Sequence, residues 1–599
     1  MNRNWKHAFS LILSITLIFL MMTGCAANTS TNSDTTTTSA AGTGTSSTTT
    51  SNANMTPWGL DKSETYLIKV LTSGAGSKYW TKFSETEVGK VVLDKFNIDF
   101  EYIPYTESDV EKQNLLLASG EYNDICQMQG STVRSSYMDA DALASITPYL
   151  NKMTNFSKLF ETQIPYYQAS ATNKEVYYWT GDGVPNNIVQ AAGNGAMVRA
   201  DALKLYGDKF GYDNPPTTDD DFLELMKLAK EADLKDINGK SCVGLTMPGG
   251  ESWGLKGIVQ GLAENSHYGK TSSRYMVYDV LSDKYVPFDQ TDYYKHTCWF
   301  FNQLSQIGYL DEELFTMTGD QLNDVCKVAS PIMVWYCGWY TGVNPFIVEA
   351  GHPEMQYVSM AMMSGVYKGK DIYTVKTPTS DFENWGISSK AKYPERIAEL
   401  LDYLCSEDGL NLSYNGVEGV QWEKDADGNR VVIGDAYKKR TSGYPEYSEE
   451  YKDMTGIGYL ASFIGPSCNV YMQDGEVLPI TGTKKFIEDW TDKKTVQYEF
   501  MNKYGMLQST DYLTSISKLF TQTMPPTVEF ETGSTYAALA DTLVDVRVQH
   551  LYDIFTAKDD AAFEAAWQAM QDDYAKYDVA GYVAEYNKIG KEIEAAAKG

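Results

Sequence analysis

Paired cysteines and metal-binding histidines are scarce in this sequence. Its 599 residues include 8 Cys and 5 His. No C-x-x-C pair, no H-E-x-x-H motif and no P-loop occurs, so the sequence predicts neither a zinc site nor a dense disulfide framework. Apart from Cys25, we interpret most of the cysteines as buried thiols. We predict no metal and no cofactor.

Basic residues are also in deficit. Lys and Arg together number 50 against 79 Asp and Glu, a formal net charge of −29. Binding to nucleic acid or to an anionic lipid surface requires basic side chains, so the composition argues against both. The hydrophobic content of 43% with 22% charged residues is typical of a soluble folded protein. The length exceeds what one core supports, so we expect two or more lobes.

The chain begins with basic residues and an apolar run over 8–22. This run is typical of a secretion signal and short for a membrane span. It ends in Met22-Thr23-Gly24-Cys25, which resembles the bacterial lipobox; the resemblance implies cleavage before Cys25 and its lipidation. The Ser/Thr-rich residues that follow predict a disordered tether. The expected organisation is a signal peptide over 1–24 and a lipidated tether over 25–54.

Predicted strands and helices alternate in the first part of the folded body. Strands over 66–71, 98–103 and 124–128 alternate with helices over 87–96 and 110–118. This order predicts a parallel sheet covered by helices on both faces. Ligands bind at the carboxyl ends of strands in such sheets. The loops after the first and third strands supply Trp80, Gln127 and Gln129 as candidate site residues.

Later segments carry clear local patterns. Thr218 followed by three aspartates predicts a capped helix start. Further predicted elements are a strand over 243–247, a helix over 293–307, a hairpin over 422–433 that turns at Asp427-Gly428, and a final helix striped by Phe563, Trp567, Met570 and Tyr574.

One stretch concentrates aromatic residues. A short apolar strand, Ile332-Met333-Val334, runs into a glycine-punctuated segment with Trp335, Tyr336, Trp339 and Tyr340. These residues fit a protein core, and they also fit flat walls against which sugar rings stack. If the strand continues through Trp335 and Tyr336, the two point to opposite sides and at most one stacks on a ligand.

Two motifs suggest other chemistry. Gly250-Glu-Ser-Trp-Gly254 fits G-x-S-x-G, but Pro248 and Gly249 separate it from the preceding strand, where a nucleophile elbow needs a direct turn. We interpret it as a ligand-contact loop that supplies Glu251 and Trp253. Residues 425–429 resemble the start of a calcium loop, yet Ala436 occupies the position of the closing Glu, which favours a plain hairpin turn.

Several blocks together resemble one family. They are Leu116-Leu-Ala-Ser-Gly-Glu-Tyr-Asn-Asp-Ile125, Met197-Val-Arg-Ala-Asp-Ala-Leu203 followed by Pro216-Thr-Thr-Asp-Asp220, and Trp385-Gly-Ile-Ser-Ser-Lys-Ala-Lys-Tyr-Pro-Glu395 with Asp402-Tyr-Leu-Cys-Ser406 and Gly416-Val-Glu-Gly419. In this order they are similar to blocks of the extracellular solute-binding lipoproteins of bacterial ABC sugar importers, in particular the large oligosaccharide or aldouronate type.

The resemblance implies an α/β, periplasmic-binding-protein-like fold of two lobes with a hinge and an interlobe ligand cleft. It places lobe 1 at 60–180 and 378–470, lobe 2 at 181–377 and 520–599, and leaves 471–519 unassigned. It places the aromatic stretch at the cleft. The expected ligand-binding residues are Trp335, Trp339, Tyr336, Trp253, Glu251, Trp80, Gln127, Gln129, Trp179 and Arg199.

Two of these implications stay open at the level of sequence. Arg199 fits a bidentate pair with a sugar carboxylate, and it equally fits a structural salt bridge. Some relatives hold calcium in a loop like Asp236-Ile-Asn-Gly-Lys240, but Ser241 and Cys242 stand here where further acids are expected.

The function expected from the resemblance is binding without catalysis. A monomeric receptor, lipid-anchored on the extracytoplasmic face of the cell membrane, captures an oligosaccharide and delivers it to ABC permease subunits. The alternatives are a receptor for a peptide or another solute, a sensor-coupled binding protein, and a lipid-anchored glycan hydrolase. The hydrolase requires a pair of carboxylates that nothing in the sequence singles out.

Overall fold

The computed structural model divides the chain into two compact units, Met1–Asn52 and Ala53–Gly599. The structure describes residues 54–73, 83–105, 109–181, 191, 195–251, 253–271, 275–335, 342–376, 383–434, 456–460, 464–466, 478–480, 483, 485–486, 496–523, 528, 530 and 533–598, all in the second unit. None of the helices in this part of the chain has the length and apolar character needed to cross a bilayer. The predicted signal peptide and Cys25 lie outside the described residues.

The α-helices are distributed along the whole described part of the chain. They are α1 (Glu87–Phe96), α2 (Asp109–Ser119), α3 (Gly130–Asp139), α4 (Thr154–Leu159), α5 (Ile164–Ala169), α6 (Ala200–Phe210), α7 (Asp219–Glu231), α8 (Asp292–Gln306), α9 (Gly319–Lys327), α10 (Asn344–Glu349), α11 (Pro394–Leu404), α12 (Glu407–Asn415), α13 (Val496–Lys503), α14 (Asp511–Ile516), α15 (Thr535–Phe555), α16 (Asp560–Tyr574) and α17 (Val579–Lys598). Short 3-10 helices cover Phe83–Glu85, Thr147–Tyr149, Ile258–Asn265, Phe288–Gln290, Glu312–Phe315, Pro353–Met355 and Gly365–Tyr367.

The strands are short. They are β1 (Tyr66–Ser73), β2 (Ile98–Tyr105), β3 (Ile125–Gln129), β4 (Trp179–Thr180), β5 (Gly195–Arg199), β6 (Val243–Thr246), β7 (Tyr268–Thr271), β8 (Met276–Asp279), β9 (Lys284–Pro287), β10 (Pro331–Trp335), β11 (Tyr357–Ala361), β12 (Ile372–Lys376), β13 (Glu383–Ile387), β14 (Trp422–Lys424), β15 (Arg430–Val432) and β16 (Leu519–Thr523).

Two separate hydrophobic cores organise these elements into two lobes. The first core takes its buried residues from 66–179 and 385–478. The second takes them from 191–372 and 496–586. Each lobe is therefore built from two stretches of chain, and the chain passes between the cores more than once. The lobe boundaries given by the sequence remain predictions.

The first lobe contains a parallel pair of strands and a separate antiparallel three-stranded sheet, rather than the single parallel sheet that the sequence predicts. β1 and β2 pair in parallel. β13, however, lies between β3 and β4 and is antiparallel to both. The expectation of a parallel sheet was therefore wrong for β3. Its neighbour β13 lies more than 200 residues later in the sequence, so the alternation of helices and strands in the first 130 residues cannot predict this pairing.

The second lobe is built on a four-stranded sheet in the order β11-β5-β10-β6. β10 pairs with β6 in parallel, and β5 is antiparallel to both β10 and β11. A parallel pair, β12 and β16, and an antiparallel sheet of β7, β8 and β9 add to this lobe.

Local sequence signals gave correct elements. The predicted helix over 87–96 has those bounds, and the side chain of its N-cap Thr86 accepts from Gly89 N. Thr218 caps α7 in a capping box with Asp221. The hairpin of β14 and β15 forms as predicted, and Asp425 accepts from the backbone N of Asp427 and Asn429. That turn is closed by its own hydrogen bonds.

Five cysteines in the described part of the chain are buried free thiols, as predicted for most of the set: Cys126, Cys242, Cys298, Cys326 and Cys405. Burial raises the pKa of Cys126 to about 12 and that of Cys242 to about 11. Because the thiolate is the reactive form, these side chains are poor nucleophiles in the folded protein.

One buried carboxyl group lies at the junction between the second core and the C-terminal helices. Asp289 is 1% exposed, and neither of its carboxylate oxygens has a hydrogen-bond partner. Burial raises the pKa of Asp289 to about 6, although the Tyr574 hydroxyl and the Arg547 guanidinium oppose the shift. Ionisation of the Asp289 carboxyl group therefore destabilises the folded protein.

We expect Asp289→Asn to make stability less dependent on pH. The pKa of Asp289 is raised on folding, so its favourable contribution is present below pH ~4, the unfolded value, and is lost as pH rises through about 6. Between pH 4 and pH 7 the unfolding free energy of the wild type should therefore fall, relative to that of the variant, by on the order of 3 kcal/mol. Urea unfolding at both pH values measures this. Asp320→Asn, at an exposed position, is the control, and equal pH slopes in all three proteins contradict the prediction.

Candidate functional site

The first-lobe sheet ends at one edge that carries polar groups. β3 and β4 run in the same direction and end at Gln129 and Thr180, and the antiparallel β13 begins there with Glu383. We call this the first-lobe edge. Since carboxyl ends of like-directed strands meet there, it is the side of the sheet where α/β proteins bind ligands.

The second-lobe sheet has a matching edge. β6, β10 and β11 run in one direction and end at Thr246, Trp335 and Ala361, and the antiparallel β5 begins beside them at Gly195. We call this the second-lobe edge. Gly195 is required by close packing, because a Cβ there would lie 2.0 Å from the carbonyl oxygen of Met360.

Two of the segments that pass between the lobes meet these edges. The chain leaves the first lobe after Thr180 and enters the second at Gly195. It returns to the first-lobe edge at Glu383. Because these edges adjoin the crossings, we take the two of them together as the candidate site.

Gln127 and Gln129 lie on β3 with different roles. The Gln127 side chain accepts from Leu71 N at 2.6 Å, so it joins β3 to β1. Gln129 is the N-cap residue of α3, and its backbone N donates to Gln113 Oε1 at 2.8 Å. Of the two, Gln129 is the one at the first-lobe edge, and its side chain is half-buried.

Two predicted stacking residues are core residues in this structure. Trp179 is 0% exposed, and its indole N donates to Ile464 O at 2.9 Å. Trp335 is 1% exposed and packs against Phe300 and Phe301, with ring centroids 5.9 and 5.0 Å away. Neither indole offers a face to a ligand, so of the two interpretations of Trp335 the structure favours the core.

Arg199 is a structural residue, the second of the two possibilities stated above. It lies at the end of β5, four residues and about 13 Å of strand from the second-lobe edge. The guanidinium is 0% exposed, pairs with Asp201 and donates to the carbonyls of Lys235 and Ala329 at 2.9 and 2.7 Å. In this position it does not reach a ligand in the cleft.

The loop after β6 reaches the second-lobe edge. The Glu251 carboxylate accepts from Gly319 N at 2.6 Å, at the start of α9, where a negative charge is favourable. Trp253 is half-buried against the second core. Glu251 thus has a structural role here, and Trp253 is the described aromatic of this loop with part of its surface accessible. Ser252 lies outside the described residues.

Arg134 and Asn384 were missed by the sequence argument. Arg134 on α3 is buried and donates to Asn384 Oδ1 at 2.9 Å, and its guanidinium lies 4.4 Å from the ring centroid of Tyr178. Both residues lie next to the first-lobe edge. The position of Arg134 just after β3 is a usable signal, but its partner is 250 residues away in sequence. Trp80, Tyr336 and Trp339 lie outside the described residues and remain predictions.

One group in the described part of the chain has metal-binding residue types close together. Asp219 Oδ2 lies 2.8 Å from His296 Nδ1, and Asp220 Oδ1 lies 3.5 Å from His296 Nε2. Burial lowers the pKa of His296, but Asp219 and Asp220 outweigh it, so the net pKa shift is upward. This cluster is best described as a histidine held between two carboxylates. In the Asp236 loop, Asp236 Oδ1 accepts from Asn238 N and Lys240 N.

Comparison with solved structures identifies the class of fold. Alginate-binding protein AlgQ2 superposes with a TM-score of 0.55 at 15% identity over 88% of this chain and 98% of its own. FusA, an ABC-transporter substrate-binding protein of Streptococcus pneumoniae in complex with kestose, superposes with a TM-score of 0.54 at 14% identity, over 88% of this chain and 99% of its own. An HMO-binding, ABC-transporter-associated solute-binding protein of Bifidobacterium longum infantis superposes with a TM-score of 0.53 at 14% identity, over 88% of this chain and 99% of its own.

These likenesses establish the fold. The chain has the mixed α/β, periplasmic-binding-protein-like fold of solute-binding proteins. Of these structural neighbours, AlgQ2 is an alginate-binding protein, and the other two are substrate- or solute-binding proteins of ABC transporters. No protein-family model and no curated protein matches the chain.

Arg199→Met should destabilise the protein without abolishing ligand binding. The variant leaves Asp201 and two backbone carbonyls without their buried donor, which costs on the order of 3 kcal/mol of unfolding free energy. Denaturant unfolding measures the loss. Lys204→Met, which removes an exposed ion pair with Asp208 on α6, is the control and should leave the midpoint unchanged. A stable Arg199→Met protein that has lost all ligand affinity would return Arg199 to the binding site.

Proposed function

We propose that this protein captures an oligosaccharide in the cleft between its two lobes and delivers it to an ABC permease. The observation that carries the proposal is the pair of sheet edges flanking the interlobe crossings, in a fold shared with sugar-binding proteins. Amide and hydroxyl groups at these edges suit sugar hydroxyls, which need partners when buried. Aromatic side chains in the adjoining loops supply the apolar contact.

The proposed mechanism is binding without a chemical step. The ligand contacts one lobe, the lobes rotate about the crossing segments and enclose it, and the closed form docks on the permease. Closure depends on the ligand contacting both edges, because only differential affinity for the closed form shifts the equilibrium.

Aromatic substitution tests the ligand class. Purified protein should bind an oligosaccharide from a panel of fructans, milk oligosaccharides, N-glycan fragments and alginate fragments, measured by calorimetry. Trp253→Ala and Trp339→Ala should each raise Kd about tenfold, equivalent to ~1.4 kcal/mol of lost stacking. Tyr552→Ala, an exposed aromatic on α15, is the control and should leave Kd unchanged.

Other outcomes of that panel separate the alternatives. Binding of peptides but of no carbohydrate contradicts the proposed ligand and supports a peptide receptor. Shorter products from a labelled glycan identify a hydrolase. If Trp253→Ala, Trp339→Ala and Tyr552→Ala all bind an oligosaccharide with the same Kd, the proposed function stands. The two tryptophans are then not ligand contacts.

The proposal includes a lipid anchor at Cys25. Its support is the lipobox-like Met22-Thr23-Gly24-Cys25 and the Ser/Thr-rich stretch after it. Where the described chain begins, it is fixed to the first lobe: Trp58 N donates to Glu399 Oε1 at 2.5 Å. A tether would therefore hold the protein through its first lobe.

Cys25→Ser should release the protein from the membrane fraction. Two or more acyl chains give stable anchoring, and their loss leaves no strong membrane contact. Fractionation of a bacterial host with immunoblotting measures the distribution. Ser30→Ala in the tether is the control and should stay membrane-bound, and a Cys25→Ser protein that also stays there contradicts the anchor.

A further inference from the structure

The first half of the last helix, α17, is fixed to the second lobe. Tyr582 and Tyr586 are buried in the second core. The Asn587 side chain holds the backbone of Tyr285 on β9 from both sides: its Oδ1 accepts from Tyr285 N at 2.8 Å, and its Nδ2 donates to Tyr285 O at 2.9 Å. This half of α17 therefore moves with the second lobe.

The helix α17 also contacts α5, which belongs to the first lobe. The residues of α17 whose charges act on Tyr166 of α5 are Glu594 and Lys598, in its second half. One face of the helix continues from the core to this contact. Gly590 is buried, and Ile593, Glu594 and Ala597 are half-buried, whereas Ala596 between them is exposed. Spacings of three and four residues place the first four on one side of a helix. A single stripe thus packs first on one lobe and then on the other.

Charged side chains at the end of α17 lie close to α5. Burial and then the Glu594 carboxylate raise the pKa of Tyr166 on α5, while Lys598 lowers it. Glu594 and Lys598 also pair with each other one turn apart on α17. Tyr166 therefore lies within the field of the charges at the end of α17.

The partner helix α5 is joined to the point where the chain leaves the first lobe. Tyr167, buried in the first core, has its hydroxyl 3.0 Å from Thr180 Oγ1 and accepts from Thr180 N at 3.2 Å. Thr180 is the last residue of β4, before the crossing to the second lobe. A rotation about this crossing changes the position of α5 relative to α17.

We propose that α17 is a noncovalent strap that restrains rotation between the lobes. Its first half is held by the second lobe, and its last turns bind α5 beside the crossing. The strap stabilises the lobe arrangement of this structure, so its loss broadens the range of interlobe angles. The strap acts in the ligand-free protein, whatever the ligand is.

A pair of adjacent alanines tests the strap. Ala597→Asp places a charge in the α5 contact, and Ala596→Asp places the same charge one residue away on the exposed side. Spin labels on bioorthogonal residues at Glu121 and Asp324, exposed positions in the first and second lobes, report the interlobe distance by double electron–electron resonance. We expect Ala597→Asp to lose the single narrow distance peak and Ala596→Asp to keep it.

A variant on the other lobe keeps the test valid if Ala597→Asp unfolds the end of α17. Tyr166→Ala leaves α17 unchanged and removes part of its partner surface, so it should broaden the same distance distribution. Identical narrow distributions in the wild type, Tyr166→Ala and Ala597→Asp overturn the strap. Since no ligand is present, this result is independent of whether the protein binds an oligosaccharide.

Discussion

The position of β13 between β3 and β4 is the constraint on which the two-lobe arrangement depends. Its five residues pair with β3, two of them, Asn384 and Trp385, also pair with β4, and Trp385 and Ile387 are buried in the first core. Because β13 comes from the later part of the sequence, the chain must leave the first lobe, complete the sheet of the second and return. The passage of the chain out of the first lobe and its return both follow from this one pairing.

Buried arginines join segments that are distant in sequence. Arg199 donates to the carbonyls of Lys235 and Ala329, and Arg396 to those of Phe96 and Asn97. Arg430 likewise donates to Leu478 O. A guanidinium with five donors satisfies several loop carbonyls at once, which an apolar side chain cannot do. In a chain with a net charge of −29, some of the few basic side chains are thus buried and hydrogen-bond within the protein.

The sequence predicted features that depend on short-range interactions and failed on those that depend on strand pairing. The cap at Thr218, the bounds of α1 and the turn after Asp425 involve residues a few positions apart, so their patterns are visible locally. The burial of Trp179 and Trp335 and the distance of Arg199 from the cleft depend on which strands become neighbours and in which direction. The antiparallel β5 places its last residue, Arg199, at the end opposite the cleft, and no local pattern reports that direction.

The buried thiols have a consequence for how the protein ages. While the fold is intact, low thiolate content and lack of access protect Cys126, Cys298 and their counterparts from oxidation. Each transient unfolding event removes both protections at once, and a mispaired disulfide formed at that moment prevents refolding. In an oxidising medium the lifetime of the protein then depends on how often it unfolds and on how long it stays unfolded.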